Sequence, residues 1–207
     1  MPISAKESLK ELSEEIMQCK KCLDLAKLRK QPAVGTGASN ARVILVRNYP
    51  EETDAGKADI LSANNLLRKL IKKINLSLSK DVYITYLVKC APKKNTARSA
   101  EGGTAAAKPL KKHVNNCISF FSKEISIITP HIVIPLGLDV SNIILGKYFS
   151  VDKKYRSMNK IHMRIFENPS FKLVPFYEPE DVALSKKIPE DKYLEDFKNL
   201  HKLLKVI

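Results

Sequence analysis

Four cysteines are the residues of this chain most able to do chemistry. Cys19 and Cys22 form a close pair, Cys19-Lys20-Lys21-Cys22, just after a short amphipathic segment; Cys90 and Cys117 lie far downstream, with 26 residues between them. Two disulfides would suit a small secreted domain, but Met1-Pro2-Ile3 does not open a secretory signal and 207 residues can build a core without staples. A structural zinc site usually draws on two close pairs, whereas here there is one pair and two single residues. Four thiolates gathered from distant points also suit an iron–sulfur cluster, whose irons each take a cysteine sulfur. Cysteine is also a common core residue with no chemical role. Spacing alone leaves cluster, zinc and core packing open.

The elements that must position these residues follow from periodicity. Leu9, Leu12, Ile16 and Met17 recur at helical spacing over residues 4–17, and Ser4 with Glu7 can close a capping box. A basic, irregular stretch over 23–34 ends in Gly35-Thr36-Gly37. Short apolar runs predict strands over 42–47, 82–88, 131–136 and 171–176, and helical patterns fall over 60–74, 111–128, 138–145 and 191–206. Residues 48–56, 147–162 and the stretch from Tyr177 read as loops. Residues 91–110 are poor in large apolar side chains and read as a flexible basic insert. Strands separated by helices give a parallel sheet with helices on both faces, and in such sheets ligands bind at the carboxyl ends of the strands. The loops after Val46, Val88, Leu136 and Phe176 are therefore expected around one crevice.

Composition bounds the setting. The length fits one domain, 1–207, in which residues 1–40 carry the first helix and the first two cysteines. Hydrophobic residues are 44% and charged residues 28%, a globular balance. No apolar run approaches the ~18–20 residues of a membrane span, so with no targeting segment the expected location is intracellular and cytoplasmic. Lys and Arg outnumber Asp and Glu by 36 to 22, a formal charge of +14 that favours a polyanionic partner, nucleic acid above all. A lysine-rich surface serving solubility alone is the plainer alternative.

Three phrases taken in order give the chain a recognisable pattern. A Cys-x-x-Cys follows the first helix. A third cysteine closes Val82-Tyr83-Ile84-Thr85-Tyr86-Leu87-Val88-Lys89-Cys90. Cys117 on the next helix is followed by Pro130-His131-Ile132-Val133-Ile134-Pro135-Leu136-Gly137. In these features the chain resembles the family 4 uracil-DNA glycosylases, the iron–sulfur branch of that superfamily, over nearly its whole length. The resemblance implies a three-layer α/β/α sandwich around a central four-stranded parallel sheet. It also implies a 4Fe–4S cluster on Cys19, Cys22, Cys90 and Cys117, and a role in DNA repair.

The active-site phrases depart from that family. Its Gly-Glu-Ala-Pro-Gly becomes Arg47-Asn48-Tyr49-Pro50-Glu51, so Asn48 stands where a Glu prepares the attacking water, and the loop before Gly56 is two residues shorter. Asp59 stands for the Phe that stacks on uracil, and Tyr86 for the Asn that reads the uracil edge. Tyr-His-Pro-Ser becomes Tyr177-Glu178-Pro179-Glu180, so Glu178 replaces the catalytic His. Asn48 has no group that takes a proton from water at neutral pH, and an ionised Glu178 would oppose charge on the leaving base. Standard uracil excision is therefore expected to be lost. The alternatives are a working glycosylase with a pocket rebuilt for uracil or another damaged base, and a non-catalytic scaffold subunit in a repair or replication assembly.

Charge is unevenly placed. Lys89, Lys93, Lys94, Arg98, Lys108, Lys111 and Lys112 lie in or beside the insert, and Lys147, Lys153, Lys154, Arg156 and Lys160 form a second run. Both suit sequence-independent contacts to DNA phosphates. Residues 51–54 and 178–181 are acidic loops suited to a basic protein partner. His113 stands where one covalent-trapping branch of the superfamily carries a nucleophilic His, but its neighbours do not match that branch, so it reads as a residue opening a helix.

Overall fold

The computed structural model describes residues 3–27, 29–50, 65–73, 77, 79–92, 108–185 and 188–205. The sheet order is β1-β3-β2-β4-β6-β5. Its centre is four parallel strands, β3 (Val82–Tyr86), β2 (Val43–Arg47), β4 (Ile132–Pro135) and β6 (Lys172–Leu173). These are the four runs read as strands in the sequence. Two antiparallel edge strands were not anticipated: β1 (Thr36–Gly37) on β3 and β5 (Phe166–Glu167) on β6. Two residues are too few for an alternating pattern to show. Gly37 has φ +133°, and a Cβ there would lie 2.2 Å from the Val82 carbonyl oxygen, so only glycine lets β1 pair so closely.

Alternation along the strands sorts the core into two layers. Val43, Leu45, Ile84, Tyr86, Ile132 and Ile134 face one way, onto α3 (Asn65–Lys73), α6 (Pro179–Ser185) and α7 (Glu190–Lys205). Ile44, Val46, Tyr83 and Val133 face the other, onto α4 (Lys111–Ile128) and α5 (Leu138–Tyr148). Successive side chains of a strand point to opposite faces, and these strands are buried on both, which is why they read as unbroken apolar runs. The result is the expected α/β/α sandwich. Helix α1 (Ala5–Gln18) lies against α4 and carries the capping box, with Glu7 N–H donating to Ser4 Oγ at 3.2 Å and Ser4 N–H donating to Glu7 Oε2 at 2.9 Å. Two stretches read as irregular are helical: α2 (Leu23–Ala26) follows Cys22, and α6 begins at Pro179. No helix among the described residues is long and apolar enough to cross a membrane.

Candidate functional site

The carboxyl ends of β2, β4 and β6 open onto a cleft of about 400 Å³. Its walls are Arg47 at the end of β2 with Asn48 and Tyr49 after it, residues 136–140 after β4, and Glu178, Glu180 and Asp181 after β6, with Lys108 joining them. All four expected connections thus contribute to one crevice. The stretch after β3 reaches this lining, among the described residues, through Lys108 at its far end, while its near end leads to Cys90, which packs with the other cysteines. Gly137, at φ +95°, makes the turn out of β4, and its N–H donates to the Phe176 carbonyl at 2.8 Å, holding two of the loops together.

Arg47 ends β2 and is buried. Its Nε donates to Glu178 Oε1 at 2.8 Å and its Nη2 to Glu180 Oε1 at 2.5 Å. The guanidinium carbon also lies 5.9 Å from the centre of the Tyr86 ring. Burial works against charge on Arg47, but the two carboxylates outweigh it and hold the guanidinium protonated. Burial pushes the Glu178 carboxyl well above its ordinary value; Arg47 opposes this and a hydrogen bond with Glu180 adds to it, although 18% of the side chain still faces the cleft. Two carboxyls beside one guanidinium are best satisfied by sharing one proton, which leaves the trio with little net charge. Tyr86 is fully buried within the core layer behind this trio. Asn48 Oδ1 is buried with no hydrogen-bond partner among the described residues. Asp59 and acidic residues 51–54 lie outside the described residues. In the acidic loop 178–181, two of three carboxylates turn inward to Arg47, which leaves less charge for a basic partner than the sequence suggests.

The four cysteines gather beyond the end of β3. Cys22, Cys90 and Cys117 are buried in one apolar group with Leu12, Ile16, Leu25, Val88 and Phe120, and Cys19 packs against it half-buried; all four are free thiols. Three of the sulfurs accept N–H hydrogen bonds. Arg29 Nη1 donates to Cys90 Sγ at 2.7 Å, Asn116 Nδ2 to Cys22 Sγ at 3.4 Å, and the Lys89 backbone N–H to Cys117. Burial raises the Cys90 thiol, against the Arg29 hydrogen bond, and pushes Cys117 up to about 11, against the Lys89 N–H. Unpaired thiols in an apolar pocket, three of them met by N–H donors, are soft ligands whose negative charge is partly provided for. That donor set fits a sulfur-ligated group. Among the described residues no three His, Cys, Asp or Glu side chains form a ready single-ion site.

A buried ion pair braces this region. Lys89, beside Cys90, donates from Nζ to both Glu124 oxygens at 2.8 and 2.9 Å and to Thr85 Oγ1 at 2.6 Å; Lys89 and Glu124 are 1% and 0% exposed. Glu124 sits two turns beyond Cys117 on α4, so the pair fixes the β3 end against the helix that carries the fourth cysteine. Removing one partner of such a pair strands a buried charge, at a cost of about 3–5 kcal/mol, whereas replacing both with apolar residues is often neutral. Lys89→Met is expected to lower the urea midpoint strongly, and Lys89→Met with Glu124→Leu to recover most of the loss. An equal loss in both variants would show that packing, not charge, dominates.

Comparison with known proteins decides the family. The profile described as Uracil DNA glycosylase superfamily matches residues 34–200. A type-4 uracil-DNA glycosylase of Sulfurisphaera tokodaii is 30% identical over 206 residues, covering 95% of this chain and 85% of that protein. The chain belongs to the uracil-DNA glycosylase superfamily, in its type-4 branch. Another type-4 enzyme, from Archaeoglobus fulgidus, is 26% identical over 203 residues, covering 95% of this chain and 94% of that one. A DNA polymerase of Bacillus phage SP01 is 25% identical over 182 residues, 87% of this chain but 18% of the polymerase.

In this superfamily member two of the exposed basic residues are held in ion pairs. Lys108 pairs with Asp139 and Lys112 with Asp24, each at 2.9 Å. Lys111 is exposed, as are Lys147, Lys153, Lys154, Arg156 and Lys160; Lys93, Lys94 and Arg98 lie outside the described residues. His113 is a structural residue. Its Nδ1 accepts from the Leu110 N–H at 3.1 Å, so Nε2 carries the hydrogen that faces Asp24 Oδ2 at 2.9 Å. Hydrogen bonds from Lys112 and His113 hold the Asp24 carboxyl below its ordinary range. Sequence reasoning missed Arg29, Asn116, Arg47 as a clamp, and the Lys89–Glu124 pair. The only signals were charged residues at the end of an apolar strand (Arg47) and on the apolar face of α4 (Glu124).

Proposed function

We propose that residues 1–207 form one 4Fe–4S domain that binds DNA through its phosphates and has lost the ordinary uracil excision of its branch. The observation that carries this reading is the Arg47–Glu178–Glu180 clamp with Tyr86 behind it. An acid stands where the resemblance puts the catalytic His, it accepts from Arg47 and hydrogen-bonds Glu180, and an aromatic ring occupies the edge-reading position. Four free cysteines with N–H donors on three of their sulfurs support the cluster. Cys19, Cys22, Cys90 and Cys117 would hold it. When bound, it supplies iron charge that keeps buried thiolates ionised, and a fixed tie among three distant segments.

Charge supports DNA binding. The formal +14 and the exposed second basic run suit phosphate contacts, whereas the ion pairs of Lys108 and Lys112 reduce their share. Binding that falls steeply with salt is expected on duplex and single strands of unrelated sequence. Charge reversal at Lys93, Lys94 and Lys111 should flatten the plot of log affinity against log salt by about 0.9 per lost duplex contact. An unchanged slope and affinity would leave residues 91–110 as a solvated loop. A scaffold role in a replication or repair assembly is the second reading. It is favoured by the match to 18% of the length of a phage protein named DNA polymerase. Co-purification of a polymerase or repair subunit from native extract, at salt that dissociates DNA, tests it.

A further inference from the structure

We propose that Arg29 is a positioning residue for the cysteine-held group and sets its reduction equilibrium through a charged N–H···S hydrogen bond to Cys90; this rests on the reading that the cysteines hold a 4Fe–4S cluster. The hydrogen bonds to sulfur run in a cycle. The N-terminal segment sends Arg29 to Cys90, the end of β3 sends the Lys89 N–H to Cys117, and α4 sends Asn116 to Cys22. Each donor thus comes from a segment other than that of the sulfur it meets, so each bond fixes two segments as well as one sulfur. Two of the side chains also reach a backbone carbonyl beside the first pair, Arg29 to Cys19 through Nη2 and Asn116 to Lys21 at 3.2 Å.

Arg29 differs from the other two donors in charge. A guanidinium stays protonated at any working pH, and its planar fork matches a sulfur and a carbonyl at once. Adding one electron to the group adds one negative charge, and a fixed cation 2.7 Å from a ligating sulfur stabilises that form more than the oxidised one. Hydrogen bonds to sulfur and net charge are levers on such potentials. Asn116 offers a neutral and longer bond at 3.4 Å, so its influence is smaller.

The test is film voltammetry of the full chain purified without air, together with iron and sulfide content and the electron paramagnetic resonance spectrum of the reduced form. Arg29→Gln is expected to disfavour reduction about tenfold, a fall of about 59 mV for a one-electron couple. Arg29→Lys, which keeps the charge but loses the fork, should shift it less, and Asn116→Ala least. If Arg29→Gln does not retain iron, Arg29→Lys carries the test, with a lowered potential and altered spectrum expected. Retained iron with unchanged potential and spectrum in the variants overturns the inference while leaving the cluster in place. Unmodified protein without iron and sulfide overturns the cluster reading, and this inference with it.

Discussion

No uracil release is expected when the protein, in excess over a uracil-containing oligonucleotide, is held with single- or double-stranded DNA. Base excision needs an extruded base held by its edge, an activated water, and stabilisation of charge as the glycosidic bond breaks. By the family resemblance those roles fall on Tyr86, Asn48 and Glu178, with stacking on Asp59. Tyr86 is fully buried in the core layer, and Glu178 is spent on Arg47. A carboxyl raised by burial and sharing a proton with Glu180 neither accepts water's proton freely nor offers a cation to the departing base. Each lost role of this type costs on the order of 10²–10³-fold, so even two leave turnover near background despite non-additivity.

Single restorations should therefore rescue little. Glu178→His alone leaves Arg47 facing Glu180 and Tyr86 in place. Tyr86→Asn alone removes a fully buried ring, at a structural cost of about 3–5 kcal/mol. Recovery needs Asn48→Glu, Asp59→Phe, Tyr86→Asn and Glu178→His together. Abasic sites formed by the unmodified protein and abolished by Glu178→Ala would instead assign Glu178 a catalytic role. Asn48 Oδ1 in the same cleft, without a partner among the described residues, would then be the natural acceptor for a base N–H, and a panel of damaged bases would identify it.

The parts of this fold that could be read in the sequence are those where one local force dominates. Unbroken apolar runs gave the four central strands because both faces of the sheet are covered, and Ser4 with Glu7 marked the first helix because capping needs only residues three apart. Helix α6 carried usable signals, a proline at its first position and acids at Glu180 and Asp181, but seven residues are too few for periodicity to show. The functional centres depend on distance in space instead. Arg47 meets Glu178 across 131 positions, Arg29 meets Cys90 across 61, and Lys89 meets Glu124 across 35. Nothing in the spacing of a charged residue names its partner. The cysteines were legible as a set because their type is rare, and their N–H donors were not, because Arg and Asn are common on any surface.

Loss of a cysteine ligand should produce the largest change in stability. The chain purified without air is expected to be brown, with about four irons and matching sulfide. A cluster on these residues cross-links residue 22 to residue 90 and residue 90 to residue 117, closing loops that are open in the unfolded chain. By chain entropy, a cross-link over loops of this size contributes about 3–4.5 kcal/mol. In a domain of this length that corresponds to a melting point about 6–18 °C lower once Cys90→Ala breaks the tie. Core packing alone predicts something different, since losing one buried sulfur costs the same with or without metal. The discriminating comparison is therefore a cycle. Stripping iron should lower the melting point of the unmodified chain by nearly the same amount as Cys90→Ala, and should change Cys90→Ala hardly at all. One zinc without sulfide would replace the cluster by a structural ion, and equal effects of Cys90→Ala on stripped and loaded protein would return the four thiols to ordinary core residues.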